Sequence, residues 1–214
     1  DISAWMLDLV QRMGEIQRDG TPEIEFALTA LLARSQVASG RVGDAKRTLD
    51  TLRTRFEDAG LTRYLPNLDA FLCRIELRMG NLDAADTWYL EKAPKDPLHF
   101  DALKRYQYLT QAAVELAAGR TESVFLTLAP MDEFCKVCGR HLDAISANLL
   151  RAMALYRDED ENWRSFLNGA LTEAEDYRFV GPISTFGVAI LPLLEQTDWK
   201  PGSNWFRTVM THTR

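Results

Sequence analysis

The chain is 214 residues long and carries 25 Lys and Arg against 31 Asp and Glu, a formal charge of −6 at pH 7. That balance argues against a surface built to displace counterions from nucleic-acid phosphates, and the longest apolar run, Val188 to Leu194, is broken by Pro192 and far short of the ~20 residues of a membrane helix. With 46% hydrophobic and 26% charged residues the chain can build a core, and three cysteines are too few for a disulfide framework, so a reducing, cytoplasmic compartment is expected.

Residues 2–19 place Ile2, Trp5, Met6, Leu9, Val10, Met13 and Ile16 on one helical face and stop at Gly20. This reads as the second helix of a pair whose first helix is absent, so a fragment of a larger protein is expected. From residue 23 the chain repeats itself. ARSQVASGRVGDAKRTL around Gly40, CRIELRMGNLDAADTWY around Gly80 and AAVELAAGRTESVFLTL around Gly119 each read as helix, tight turn, helix. A degenerate fourth copy, RAMALYRDEDENWRSFL, has Asp158 in the glycine's place, which sets a period of 39 to 40 residues. First helices carry apolar residues at helical spacing, as in Leu28, Leu31, Leu32 and Val37, and second helices do the same, as in Val42, Ala45, Leu49, Leu52 and Phe56. Seven residues before three of the anchors stand the small Ala33, Cys73 and Ala112, where paired helices would approach closely.

Gly60 and Gly139 end second helices, and Pro94 to Pro97 breaks the chain where the intervening stop is due. After Pro182 one helix over Ile183 to Leu194 and a last one over Asn204 to His212 complete about eleven. No run shows the alternation of a strand. The expectation is an all-α right-handed superhelix of tetratricopeptide-like pairs, one domain over 1–214, with an unpaired helix at 1–19, four repeats over 23–180 and a terminal pair over 183–214.

LLARSQVASGRVGDAKRTLDTLRTRFEDAG, FLCRIELRMGNLDAADTWYLEKAP and ALTEAEDYRFVGPISTFGVAILPLLEQ together resemble the helical-repeat sensor domain of the MalT-like, LuxR-type ATP-dependent bacterial transcriptional regulators, over about residues 23 to 196. The resemblance implies a sensing segment that receives a small metabolite or a regulatory protein. ATP binding, DNA binding and any oligomerisation would then belong to the parent protein. This chain has no phosphate-binding loop of the G-x-x-x-x-G-K-[ST] type and no basic helix-turn-helix. A repeat scaffold that binds a protein partner and has no part in transcription is the alternative.

In such a superhelix the first helices line the concave wall. Counting back from the anchors puts Arg34, Asn67, Arg74, Tyr106 and Asn148 there, a set of forks, amides and a phenol suited to a carboxylate, a phosphate or a polyol. Cys135, Cys138 and His141 have the spacing of part of a zinc site but lack a fourth ligand, and the plainer reading is a buried thiol and a helix end. No nucleophile, base and orienting group cluster in the sequence, so neither an enzyme nor a resident cofactor is expected. Trp199 and Trp205, flanking Lys200-Pro201-Gly202, mark the place where a last repeat would meet a capping element or another domain.

Overall fold

A computed structural model describes residues 20–95, 100–200 and 202–214, together with Asp8 and Arg12. The unpaired helix expected at 1–19 lies outside the described residues except for those two, which form an ion pair at 2.9 Å one helical turn apart. Eleven α-helices are present among the described residues and no strand. They are α1 (Pro22–Ala38), α2 (Val42–Asp58), α3 (Leu65–Arg78), α4 (Leu82–Lys92), α5 (Arg105–Ala117), α6 (Thr121–Cys138), α7 (His141–Arg157), α8 (Trp163–Asp176), α9 (Gly181–Ser184), α10 (Leu191–Glu195) and α11 (Asn204–Thr213). The architecture is an all-α helical repeat, and no helix is long and apolar enough to cross a membrane.

One turn ends almost every long helix. At Gly119 the chain enters the left-handed region with φ of 82°, Gly119 N–H donates to the Leu116 carbonyl and Arg120 N–H to the Glu115 carbonyl at 2.8 Å. This satisfies carbonyls that the helix end would otherwise leave open. The same two bonds recur at positions 40, 60 and 80, all glycine, and again at Glu159 and Arg178, whose φ values are 58° and 57°. The fourth anchor is therefore Glu159, not Asp158. Moving the register by one residue puts Ala152 in line with Ala33, Cys73 and Ala112, and all four are buried. The close-approach position is thus small in every repeat.

The chain divides into two compact units, Asp1–Ala93 and Pro94–Arg214. In the N-terminal unit α1 to α4 pack in chain order around Leu49, Leu52, Phe56, Leu68, Phe71, Ile75 and Trp88. Ala45 and Ala85, on the second helices, are buried to 0% and 1% exposure and so permit the close approach from their side. Charges tie successive second helices across α3: Asp69 accepts from Arg53 Nε at 2.6 Å and from Lys92 Nζ at 2.9 Å.

The C-terminal unit holds two apolar clusters. Tyr108, Leu109, Val124, Leu128, Met131 and Leu150 form one over α5 to α7, and Ile145, Leu149, Trp163, Leu167, Leu171, Ile183, Leu193, Trp205 and Val209 form the other over α7 to α11. Phe186 packs against both. The single helix expected over Ile183 to Leu194 is instead α9, a 3-10 turn at Gly187–Ala189, and α10. Gly187 takes φ of 56°, and Pro192 lies in the first turn of α10, where its missing N–H costs nothing. Trp205 turns inward, 5% exposed, and its indole N–H donates to the Phe179 carbonyl at 3.2 Å. Segments α9 to α11 therefore cover the last repeat from within this chain.

Candidate effector-binding wall

With the stops fixed, the first helices can be compared turn by turn. On α1 the residues 16, 13, 9, 6 and 2 before the stop are Ile24, Ala27, Leu31, Arg34 and Ala38, and all five are exposed. Ile24 keeps 46% and Leu31 37% of its surface, a considerable apolar stripe for one helix. The same face of α3 carries Tyr64 at its N-cap, then Asn67, Phe71, Arg74 and Arg78.

Arg34 and Phe71 join the two helices, the guanidinium carbon lying 5.9 Å from the ring centroid. Among the described residues Arg34 has no carboxylate partner. Asn67 and Arg74 are half-buried on α3. Arg78 was not singled out by the sequence reading, although it continues the same face at the i, i+3, i+7 spacing from Phe71 and Arg74. Although Arg78 is exposed, partial desolvation by the surrounding protein and then the charge of Arg74 one turn away hold its guanidinium below the usual arginine range. Like charges at i and i+4 on one helix are unfavourable by themselves. At the other end of the wall Tyr64 donates to Glu23 on α1 and stacks on Phe26 at 5.8 Å. The wall therefore presents guanidinium forks beside an apolar stripe, which suits an anionic group carried on an apolar body.

The corresponding face in the C-terminal unit is different. Thr110, the equivalent of the exposed Leu31, is completely buried, because α5 and α7 pack directly on each other, while Leu150 is buried like its equivalent Phe71. Arg157, the equivalent of Arg78, is occupied: its Nη1 donates to the Leu116 carbonyl at 2.6 Å and its Nη2 to Thr121 Oγ1 at 2.9 Å, locking the turn after α5. Tyr106 is half-buried on α5. Asn148 does not stand in the same row. Its Oδ1 accepts from Arg151 Nη1 at 3.4 Å and its Nδ2 is 3.9 Å from where a Cβ on Gly169 of α8 would be, so it faces the second helices. Ten residues before Asp158 and eleven before Glu159, Asn148 misses the exposed row in either register; with the stop at Glu159 it is the counterpart of Asp69, the charge tie of the N-terminal unit.

Cys135, Cys138 and His141 are not gathered. Cys135 is buried, and burial, helped by Asp143 and Asp132, pushes its thiol up to about 11. Cys138 is exposed. His141 Nδ1 is 2.6 Å from Glu173 Oε1 and its Nε2 is 2.8 Å from the Tyr177 hydroxyl, with the two rings 4.2 Å apart. Both ring nitrogens are thus engaged in pinning α7 to the end of α8. Among the described residues no three His, Cys, Asp or Glu are grouped so as to hold a metal ion.

No curated protein and no solved structure matches the chain. A family model does, over residues 8–199, and its description is the MalT-like TPR region. The match runs from before α1 to the segment that precedes α11, so it covers both units and every helix pair described above. The chain is a member of the MalT-like TPR region family.

Proposed function

We propose that this chain is the sensing segment of a MalT-like, LuxR-type regulator and that its effector, a small metabolite or a regulatory protein, docks on the wall made by α1 and α3. The observation that carries the proposal is the exposed stripe of α1, with Arg34 laid over Phe71 and Asn67, Arg74 and Arg78 continuing the face on α3. The segment binds and does not catalyse. It works in the cytoplasm, and ATP and DNA are handled by other domains of the parent protein.

Binding can act as a signal only if the effector has different affinity for two arrangements of the parent, one resting and one competent to bind DNA. A charged wall on a repeat whose helices touch only their neighbours is well placed for this, because a ligand bridging α1 and α3 biases the angle between two repeats. The test is a thermal-shift screen of sugars and small metabolites, with anionic compounds included, since a ligand that binds only the folded chain raises its melting temperature. At least one compound is expected to raise it, and Arg74→Ala is expected to remove the rise. A hit whose effect survives Arg34→Ala and Arg74→Ala would place the effector elsewhere.

A further inference from the structure

Between α8 and the segment leading into α11 lies an open cleft of about 360 Å³, lined by Arg164 and Asn168 from α8 and by Thr197, Asp198, Trp199 and Lys200. That volume is within the range of small-molecule sites, ~300–1,000 Å³. All six residues belong to the C-terminal unit, so the cleft is independent of the wall on α1 and α3.

Its charges are not equivalent. Lys200 is committed: its ammonium pairs with Glu175 and lies 5.0 Å from the Trp199 ring centroid. Arg164 is held but not used up. Its Nε donates to Glu161 at 2.8 Å, its Nη1 to the Gln196 carbonyl at 2.9 Å, and its guanidinium carbon lies 4.3 Å from the centroid of the buried Trp163, which leaves Nη2 in a fixed position. Asn168 Oδ1 accepts a long bond from Thr197 Oγ1 at 3.5 Å, leaving the amide nitrogen as a donor. Asp198 is exposed and, among the described residues, has neither a hydrogen bond nor an ion pair. Trp199 is half-buried and supplies the apolar side.

We propose that this cleft binds a small zwitterion of amino-acid or dipeptide size. The ammonium sits on Asp198, the carboxylate takes Arg164 Nη2 and the Asn168 amide, and the apolar part lies against Trp199. Other ligand classes match the lining less well. A simple anion would meet the Asp198 carboxylate, a simple cation would meet Arg164 and Lys200, and a neutral apolar molecule would desolvate Asp198 without pairing it. Only a ligand with both charges uses both free groups.

Calorimetric titration of the full chain tests this with four probes: L-leucine, L-leucyl-L-leucine, 4-methylpentanoate, which lacks the ammonium, and L-leucinamide, which lacks the carboxylate. Saturable binding is expected for at least one of the two zwitterions, with each single-charge analogue weaker by at least about tenfold, because a charged partner is left unpaired. Asp198→Asn, an exposed and nearly isosteric change, is expected to weaken the zwitterion by a similar factor without moving the melting temperature, and Asn168→Ala to weaken it less. Failure of both zwitterions to saturate, analogues that bind as tightly, or an Asp198→Asn chain that binds normally would each overturn the proposal. Arg74→Ala is expected to leave these titrations unchanged, which separates this site from the wall on α1 and α3.

Discussion

Arg151 is the most heavily constrained charge in the C-terminal unit. Its side chain is 6% exposed, yet its partner Asp132 on α6 is 59% exposed, and the two meet through paired bonds of 2.9 Å. The guanidinium carbon lies 5.7 Å from the Phe125 ring centroid and 5.9 Å from that of Phe166, and its Nε has no hydrogen-bond partner. Asp132 stands seven residues before the stop at Gly139, as Arg53 stands seven before Gly60. A charge tie from the equivalent position of the second helix thus recurs in both units with reversed polarity, Arg53 to Asp69 in one and Asp132 to Arg151 in the other, the partner on the first helix lying one turn further along. A buried cation is expensive to leave unpaired but cheap to replace by an apolar side chain of similar size. Asp132→Ala is expected to lower stability by about 1–2 kcal/mol, moderated by the water that reaches the rim, whereas Arg151→Met should stay within about 1 kcal/mol of the parent. Urea melts of the two variants decide it. A larger loss for Arg151→Met than for Asp132→Ala would mean that the guanidinium itself stabilises the core.

At the scale of the helix, the repeated stop is the organising element, and two of its occurrences are filled by residues that pay a steric penalty there. Glu159 and Arg178 hold φ near 58° and 57° with a Cβ that crowds the following carbonyl. Glu159→Gly is expected to stabilise the C-terminal unit by about 1 kcal/mol, and Gly119→Ala to destabilise it by at least as much, since φ is 82° and the new Cβ would stand 3.3 Å from Arg157 Nη1. Thermal unfolding of both variants checks the pair of signs, and a Glu159→Gly chain no more stable than the parent would show that Glu159 makes a compensating contact. The same stops explain what could be read from sequence. Where glycine marks the turn, the helix pairs, the small close-approach residues and the row Arg34, Asn67, Arg74 were legible. Where Glu159 replaces it, nothing in the side chain announces a left-handed turn, so the register slips by one there, and Asn148 lies outside the exposed row whichever residue is taken as the stop. Arg78 continues the same face one turn beyond Arg74, and its spacing alone is enough to place it there. The division of Ile183–Leu194 into two short helices was hidden for another reason. Its apolar spacing is helical throughout, and the break follows from Gly187 and Pro192 acting together.

On the scale of the whole molecule, the two units carry matched responses to alkali. Each has one buried cysteine, Cys73 in the N-terminal unit and Cys135 in the C-terminal unit. Burial pushes the thiols up to about 12 and about 11, from an ordinary value of 9.0. A group whose folded pKa lies above its unfolded one stabilises the fold fully below the unfolded value. That contribution is lost as pH rises toward the folded one, because the unfolded chain releases its proton first. Stability should therefore fall from about pH 9 upward by this route in both units, on top of any loss from lysine and tyrosine titration. The acid side is built differently. Glu175 is held below its ordinary 4.5 by Lys200 and Ser203, and Asp158 below 3.8 by Thr121 and Arg157, so those contributions are present at neutral pH and disappear as acid protonates partly exposed pairs that salt also screens. The alkaline limb can be isolated because it rests on two small apolar sites. In a Cys73→Ala, Cys135→Ala chain, the urea midpoint is expected to fall less steeply between pH 9 and 11 than in the parent. Below pH 8 the two curves should run parallel, offset only by the packing change. Each single variant should remove part of the slope, and the far-ultraviolet signal of each unit expressed alone, 1–93 or 94–214, would assign it. Parallel curves over the whole range would mean that water reaches both thiols in the native state, which the burial of Cys73 and Cys135, at 3% and 6% exposure, argues against.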